Sequence, residues 1–327
     1  MPSAEDSLIA RWFKPLATDA GAFDLTDDAA LLKSSADDIV VTTDAIVEGV
    51  HFLPDDPPDT VARKALRVNL SDLAAKGAAP AGFVLTLALR RADDAWLAPF
   101  AGALGEDAIT FQCPLLGGDT VSTPGPLMIS ITAFGRVLSG KMVRRNGAKA
   151  GDRVVVSGTI GDAALGLALL KRDAMTTALA ASDGIREILI ERYRIPQPRV
   201  ALAQAVRDHA SAAMDVSDGL AGDLAKLCAA SGVSAIINTP TIPFSGGLAM
   251  LIDQYDGILE LAVSGGDDYE ILCTVPENRF EAFAEAAGLA GVAVTSIGTV
   301  IAGASPPRFI DGQGTELALP RLSYSHF

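Results

Sequence analysis

The run at 138–151, LSGKMVRRNGAKAG, interrupts an otherwise regular succession of apolar segments. It is polar, basic and punctuated by glycine, which is the composition of a connection. On both sides of it β-branched runs alternate with stretches of helical period. That mixture implies two domains, each α/β or α+β. The expected division is an N-terminal domain at 1–138, a basic linker at 139–151 and a C-terminal α+β domain at 152–327. A length of 327 residues agrees with this at about 150 residues per domain.

In the first half, residues 1–26 read as a helical start followed by a loop. Segments 38–43 (DIVVTT), 83–89 and 127–137 read as strands. The stretch 60–76 repeats Val61, Ala65, Leu66, Leu73 and Ala74 at helical spacing, with Asp59 or Thr60 as cap and Gly77 and Pro80 as stops. A second helix is expected at 96–108. In the second half, strands are expected at 153–157, 234–237, 269–275 and 292–300, and helices at 162–171, 199–209, 218–231 and 277–287. The segment 158–166 (GTIGDAALG) follows a strand and opens a helix, as a phosphate loop does. Its glycine spacing is wrong and it lacks the lysine, so it reads as a structural turn.

Composition narrows the function. Apolar residues make up 49% of the chain, enough for a sizeable core. The net charge of −14 argues against nucleic-acid or anionic-membrane partners. The apolar runs at 83–89 and 163–170 fall short of the roughly 20 residues a transmembrane helix needs. The N-terminus carries Glu5 and Asp6 and no apolar core, so no signal peptide is expected. The three cysteines are far apart, with no C-x-x-C, which points to a reducing, cytoplasmic setting. The three histidines, His51, His209 and His326, are too few for a histidine-rich metal site.

Of the 40 acidic residues, 29 are aspartate, and many end apolar runs beside glycine or small residues. Six islands stand out: 26–30 (TDDAA), 42–44 (TTD, with Glu48 and His51), 69–72 (NLSD), 117–120 (GGDT), 214–219 (MDVSDG) and 264–269 (SGGDDY). A single such aspartate is ordinarily a helix cap or a turn residue. Six islands, most at element ends, point instead to cations, because converging carboxylates repel unless positive charge lies between them. Carboxylates with threonine and serine hydroxyls are hard oxygen donors suited to Mg²⁺. Asp72 falls inside a helix beside Leu70 and Leu73, where aspartate costs helix propensity, which calls for a compensating role. Lys141, Arg144, Arg145 and Lys149 crowd the linker, and Arg145 in its Arg-Asn-Gly turn suits a phosphate. Metal-assisted phosphoryl transfer needs no protein nucleophile, which agrees with the lack of a credible catalytic triad.

The ordered set TDDAALL, TTDAIVEGVHF, KALRVNLSDLAAKGAAP, GGDT, RRNGAKAGD, SGTIGDAALGL, MDVSDGLAGDL and SGGDDYEIL resembles the thiamine-monophosphate kinase family. That family belongs to the aminoimidazole ribonucleotide synthetase and selenophosphate synthetase superfamily. The resemblance implies a two-domain synthetase-like fold, whose N-terminal mixed α/β domain carries a dimer-forming sheet, and a homodimer with ATP in a cleft between domains. It implies direct in-line transfer of the ATP γ-phosphate to thiamine monophosphate, assisted by several Mg²⁺ ions, as the last step of thiamine diphosphate synthesis. By matching motifs, Asp28, Thr42, Thr43, Asp44, Asp72, Asp119, Asp215 and Asp218 correspond to metal ligands or their neighbours. Gly118, Asp119, Arg145 and Ser217 correspond to ATP contacts, and His51, Asp267 and Tyr324 to substrate contacts. Three positions depart from the family pattern: Thr26 precedes the paired aspartates in place of Gly, Asp267 stands where members carry Glu, and Ala101 lies where an aromatic residue helps hold adenine. Two alternatives are another ATP-using member of the superfamily, close to aminoimidazole ribonucleotide synthetase, and a non-catalytic Mg–nucleotide-binding module. The first lacks support from the VHF and NLSDLAA details, and the second from any EF-hand pattern.

Overall fold

The computed structural model describes residues 7–25, 30–32, 35–172, 183–317 and 319. The chain divides into two compact units, Met1–Leu73 with Ala78–Gly140, and Ala74–Gly77 with Lys141–Phe327. Each unit is built on one mixed sheet.

The first unit contains β1 (Asp38–Val47), β2 (Ala79–Leu89), β3 (Leu115–Ser122) and β4 (Met128–Val137), in the order β1-β4-β2-β3. The β1–β4 and β4–β2 pairs are antiparallel, and β2–β3 is parallel. β4 alternates strictly, burying Ile129, Ile131, Ala133 and Val137, as a period-two strand should. Helix α1 (Pro58–Ala75) starts two residues before the expected Thr60. The Pro57 carbonyl accepts the first turn's N–H groups, from Thr60 and Val61, and proline at the helix start has the fixed φ that position needs. Helix α2 (Asp94–Thr110) is capped by Asp93, whose side chain accepts the Ala95 N–H. Asp107 is buried between Arg63 and Arg67, which ties α2 to α1.

The second unit has β5 (Arg153–Ser157), β6 (Ala212–Asp215), β7 (Val233–Asn238), β8 (Ile271–Val275), β9 (Val294–Ala302) and β10 (Arg308–Ile310), ordered β10-β7-β9-β5-β8-β6. Strand alternation sorts side chains to two faces. Val154, Val156, Met214 and Leu272 enter one cluster, and Val155, Ala213, Ile271 and Cys273 another. The sheet is therefore buried on both sides. Helix α3 (Asp162–Lys171) packs with α4 (Asp183–Arg194). Helices α5 (Ala203–His209) and α9 (Phe280–Leu289) feed the second cluster, and α6 (Leu220–Ser231) the first. α7 (Gly246–Gln254) and α8 (Ile258–Ser264) complete the unit. Ala74 and Ala75 belong to the second cluster, and Lys76 Nζ donates to the Ala213 carbonyl at 2.7 Å.

Several boundaries differ from expectation. The helix expected from Asp218 begins at Leu220, and the strand expected from Tyr269 begins at Ile271. The helix expected over 199–209 is a tight turn at Val200–Leu202 followed by α5. The 158–166 segment is a structural turn, with Gly158 and Gly161 at φ 55° and 87° leading into α3. Among the described residues no helix is long and apolar enough to cross a membrane.

Candidate functional site

Two loci, one in each unit, gather most of the residues singled out in the sequence. In the first unit, β1 carries Thr42, Thr43 and Asp44 beside α1. The Thr42 hydroxyl donates to Asp72 Oδ2 at 2.5 Å. The Asp44 backbone N–H donates to Asn69 Oδ1 at 3.1 Å, while the Asn69 amide nitrogen donates to the Ala65 carbonyl. Asn69 is fully buried, so it locks one turn of α1 to β1. Asp72 sits three residues further along the same helix face, half-buried and aimed at Thr42. Thr43 projects to the opposite face by strand alternation, where its hydroxyl meets Thr132 Oγ1 and the Ile131 carbonyl.

Gly118 and Asp119 lie within β3, paired in register with Leu85 and Thr86 of β2. A side chain at Gly118 would overlap the Leu85 carbonyl oxygen, so only glycine allows the two strands this approach. Gly117, Gly118 and Asp119 line a cavity of about 330 Å³ together with Ile9, Phe13 and Leu25. Its walls combine apolar side chains with one exposed carboxylate. His51 closes a tight turn after β1. Its backbone N–H donates to the Val47 carbonyl at 2.9 Å, and its Nδ1 accepts the Val47 N–H at 3.1 Å. Nδ1 is thereby engaged as an acceptor within the turn.

In the second unit, β6 delivers Asp215, and Ser217 and Asp218 follow in the turn before α6. The 264–269 island folds against this turn. The Asp267 N–H donates to the Ser217 carbonyl and the Tyr269 N–H to the Val216 carbonyl, both at 2.8 Å. Gly266, at φ +79°, lies so near Ser217 that a side chain would meet its carbonyl oxygen. Asp267 and Tyr269 have φ of 64° and 51°. This left-handed conformation disfavours residues with a Cβ by about 1–2 kcal/mol each, and such outliers concentrate at functional sites. The structure thus brings Asp215, Ser217, Asp218 and Asp267 into one pair of loops.

Buried groups that the sequence reading missed support these loops. Asp223, in the first turn of α6, accepts the N–H groups of Ser217 and Asp218. Burial pushes its carboxyl above the ordinary value, against the opposing pull of Lys226. Asp268 is fully buried, with Oδ1 accepting the Gly161 N–H at 2.8 Å. Its Oδ2 has no hydrogen-bond partner among the described residues, and burial raises its pKa well above the usual range. Glu270, also fully buried, accepts from Arg192, Arg199 and Ser157. The readable signals were the Asp223–Lys226 spacing of three on one helix and an acid–acid–aromatic–acid run at 267–270.

Arg145 is exposed in a tight turn whose backbone is held by Ser231, the serine hydroxyl donating to the Arg145 carbonyl at 2.7 Å. Asp28 and Tyr324 lie outside the described residues. The three cysteines are buried and free, their thiols pushed up by burial to about 12 for Cys113 and Cys273 and about 11 for Cys228.

Among the described residues no group of three or more His, Cys, Asp or Glu side chains is arranged to hold a metal alone. The donors nonetheless fit Mg²⁺. Asp72 with Thr42, and Asp218 in its turn, offer one or two hard oxygen atoms each, and Mg²⁺ takes one or two carboxylates, water and substrate phosphate in place of an all-protein cage. Lys226 Nζ sits on Asp218 Oδ2 at 2.5 Å, so a metal ion at Asp218 would share this carboxylate with the ammonium or displace it.

Residues 26–137 match the AIR synthase related protein N-terminal domain, and residues 149–309 match the corresponding C-terminal domain. The chain is 45% identical over 332 residues to thiamine-monophosphate kinase of Caulobacter vibrioides, covering 99% of this chain and 91% of that protein. The crystal structure of thiamine-monophosphate kinase from Stenotrophomonas maltophilia K279a superposes with a TM-score of 0.83 at 38% identity, covering 94% of this chain and 97% of that one. A structure of AaThiL complexed with AMPPCP and TMP superposes with a TM-score of 0.77 at 30% identity, covering 92% of this chain and 91% of that one.

Proposed function

This chain belongs to the thiamine-monophosphate kinase family, built from paired AIR synthase related domains, and from that membership we propose that it makes thiamine diphosphate by direct γ-phosphoryl transfer from ATP to thiamine monophosphate, with several Mg²⁺ ions bound. An oxygen of the thiamine phosphate attacks the γ-phosphorus, the bond to the β-phosphate oxygen breaks, and ADP leaves. When bound, Mg²⁺ neutralises phosphoryl oxygens and takes up developing charge. No protein nucleophile enters the reaction.

The observation that carries this reading is that motifs far apart in sequence form two braced loci of hard oxygen donors, Thr42 with Asp72, and the 215–218 turn with 264–268. Asp44, Asp72, Asp119, Asp215 and Asp218 hold metal, with Thr42 beside them, Thr43 next in the chain with its hydroxyl turned to Thr132, and Asp28 adding a further carboxylate. Gly118, Asp119, Arg145 and Ser217 bind ATP. Gly118 is exposed on β3 beside Asp119, and Arg145 offers an exposed guanidinium fork. His51 and Asp267 bind thiamine monophosphate, and Tyr324 packs on its cationic ring.

We also propose a homodimer that pairs through β1. This strand lies at the edge of its sheet, and Ile39 and Val41 on it are 43% and 58% exposed, a liability that edge strands normally avoid. The free cysteines support a cytoplasmic setting.

The test is ³¹P NMR of the protein with ATP, Mg²⁺ and thiamine monophosphate. The expected result is a new diphosphate ester appearing in step with ADP. ADP with free phosphate alone, or no turnover, refutes the proposal.

A further inference from the structure

Asp223 is fully buried in the first turn of α6. Its Oδ2 accepts the backbone N–H of Ser217 at 3.0 Å and of Asp218 at 2.9 Å. Its Oδ1 accepts Lys226 Nζ at 2.8 Å, and the same ammonium reaches Asp218 Oδ2 at 2.5 Å. One side chain thus sets both ends of Asp218, the backbone by direct hydrogen bonds and the carboxylate through a shared lysine. A solvated Ser or Asp at the helix cap could satisfy one of these amides without burying a charge. What the buried carboxylate adds is a fixed orientation for the turn. It also divides the Lys226 charge, so that Asp218 does not hold the ammonium alone.

We propose that Asp223 is a positioning residue. It fixes the 215–218 turn, and by sharing Lys226 it leaves the Asp218 carboxylate open to a nucleotide-bound divalent cation. The inference rests on the kinase reading only in taking this turn as a metal–nucleotide locus.

Two measurements on the full chain test it, and neither needs turnover: hydrogen exchange at the Ser217 and Asp218 amides, and Mg·ADP binding by calorimetry. Asp223→Ala removes a charged acceptor from both amides. Their exchange is expected to quicken about tenfold or more, and Mg·ADP to bind about tenfold more weakly. Asp223→Asn keeps an acceptor oxygen for the amides but leaves Lys226 to Asp218 alone. Exchange then stays within about threefold of wild type, while Mg·ADP binds roughly fivefold more weakly. A folded Ala variant with wild-type Mg·ADP affinity overturns the proposal, because a purely structural cap would alter exchange and stability and leave nucleotide binding unchanged; wild-type exchange overturns it as well, since Asp223 would then not hold the two amides. Should the Ala variant not fold, wild-type Mg·ADP affinity in the Asn variant overturns it. A wild-type protein that binds Mg·ADP yet forms no thiamine diphosphate removes the kinase reading and leaves this inference standing.

Discussion

Glu270→Gln tests the buried ionic group behind the 264–269 loop. The Glu270 carboxylate is fully buried and faces two arginines whose side chains are 15% and 25% exposed. Arg192 Nη2 reaches Oε1 at 2.8 Å, Arg199 Nε reaches Oε2 at 2.6 Å, and Ser157 Oγ reaches Oε2 at 2.6 Å. Arg199 Nη2 adds a further bond to Oε1. Glutamine keeps the volume, so no cavity forms. It replaces one acceptor oxygen by a donor and leaves two guanidinium groups facing a neutral amide. Breaking a buried pair from one side costs about 3–5 kcal/mol, and the partial exposure of both arginines lets water return and sets the value near the lower end, about 3 kcal/mol. For a folding unit of 150–250 residues this lowers the melting temperature by roughly 6–12 °C. Differential scanning calorimetry at neutral pH reads the shift directly. A variant melting within about 2 °C of wild type would show that the arginines have adequate partners elsewhere and that Glu270 is not their anchor.

Two further substitutions follow from the same loops and from β3. Burial holds the Asp268 carboxyl well above its ordinary value of 3.8, so the folded state binds that proton more tightly than the unfolded chain. The stability this contributes is complete below the unfolded pKa and is lost as pH rises through the folded one. Asp268→Asn keeps the acceptor for the Gly161 N–H and abolishes that loss. Melting curves from about pH 4 to pH 8 should show wild type falling relative to the variant as pH rises; parallel curves would refute the assignment. Gly118→Ala would press its methyl group against the Leu85 carbonyl oxygen, costing about 1–3 kcal/mol as β3 moves off β2. Steady-state kinetics should show a raised KM for ATP with little change for thiamine monophosphate, and an unchanged KM for ATP would remove Gly118 from the nucleotide contacts.

Much of the fold was readable where local pattern and tertiary role agree. The β-branched run at 38–43 and the Val-Val-Val core of β5 declare themselves, and the alternation at 127–137 maps directly onto β4. β3 escaped because Gly117 and Gly118 sit in its middle, where local propensity opposes a strand and only pairing with β2 justifies one. β6 escaped because Ala-Ala-Met is short and not β-branched; its burial comes entirely from the sheet around it. α4, α7 and α8 were not read at all. Asp72 stood out because a carboxylate within an apolar helix is anomalous by itself. Asp223 did not, since an acid in the first turn of a helix ordinarily serves the helix dipole. Its reach backward to Ser217 and Asp218 is a property of the folded turn. The same reach explains why the helix begins at Leu220, after an already satisfied pair of amides.

Residues 74–77 have a practical consequence for anyone dissecting this protein. A scissor cut at the basic linker looks natural, yet it would strip Ala74 and Ala75 from the hydrophobic cluster around Val155 and Phe283, and remove the ammonium that caps Ala213. A C-terminal fragment expressed alone therefore begins life with a missing tile, and its failure to fold would say nothing about whether the half is autonomous. Because that tile is synthesised first, the ribosome always supplies it before the rest of the cluster emerges; a recombinant fragment must have it grafted back.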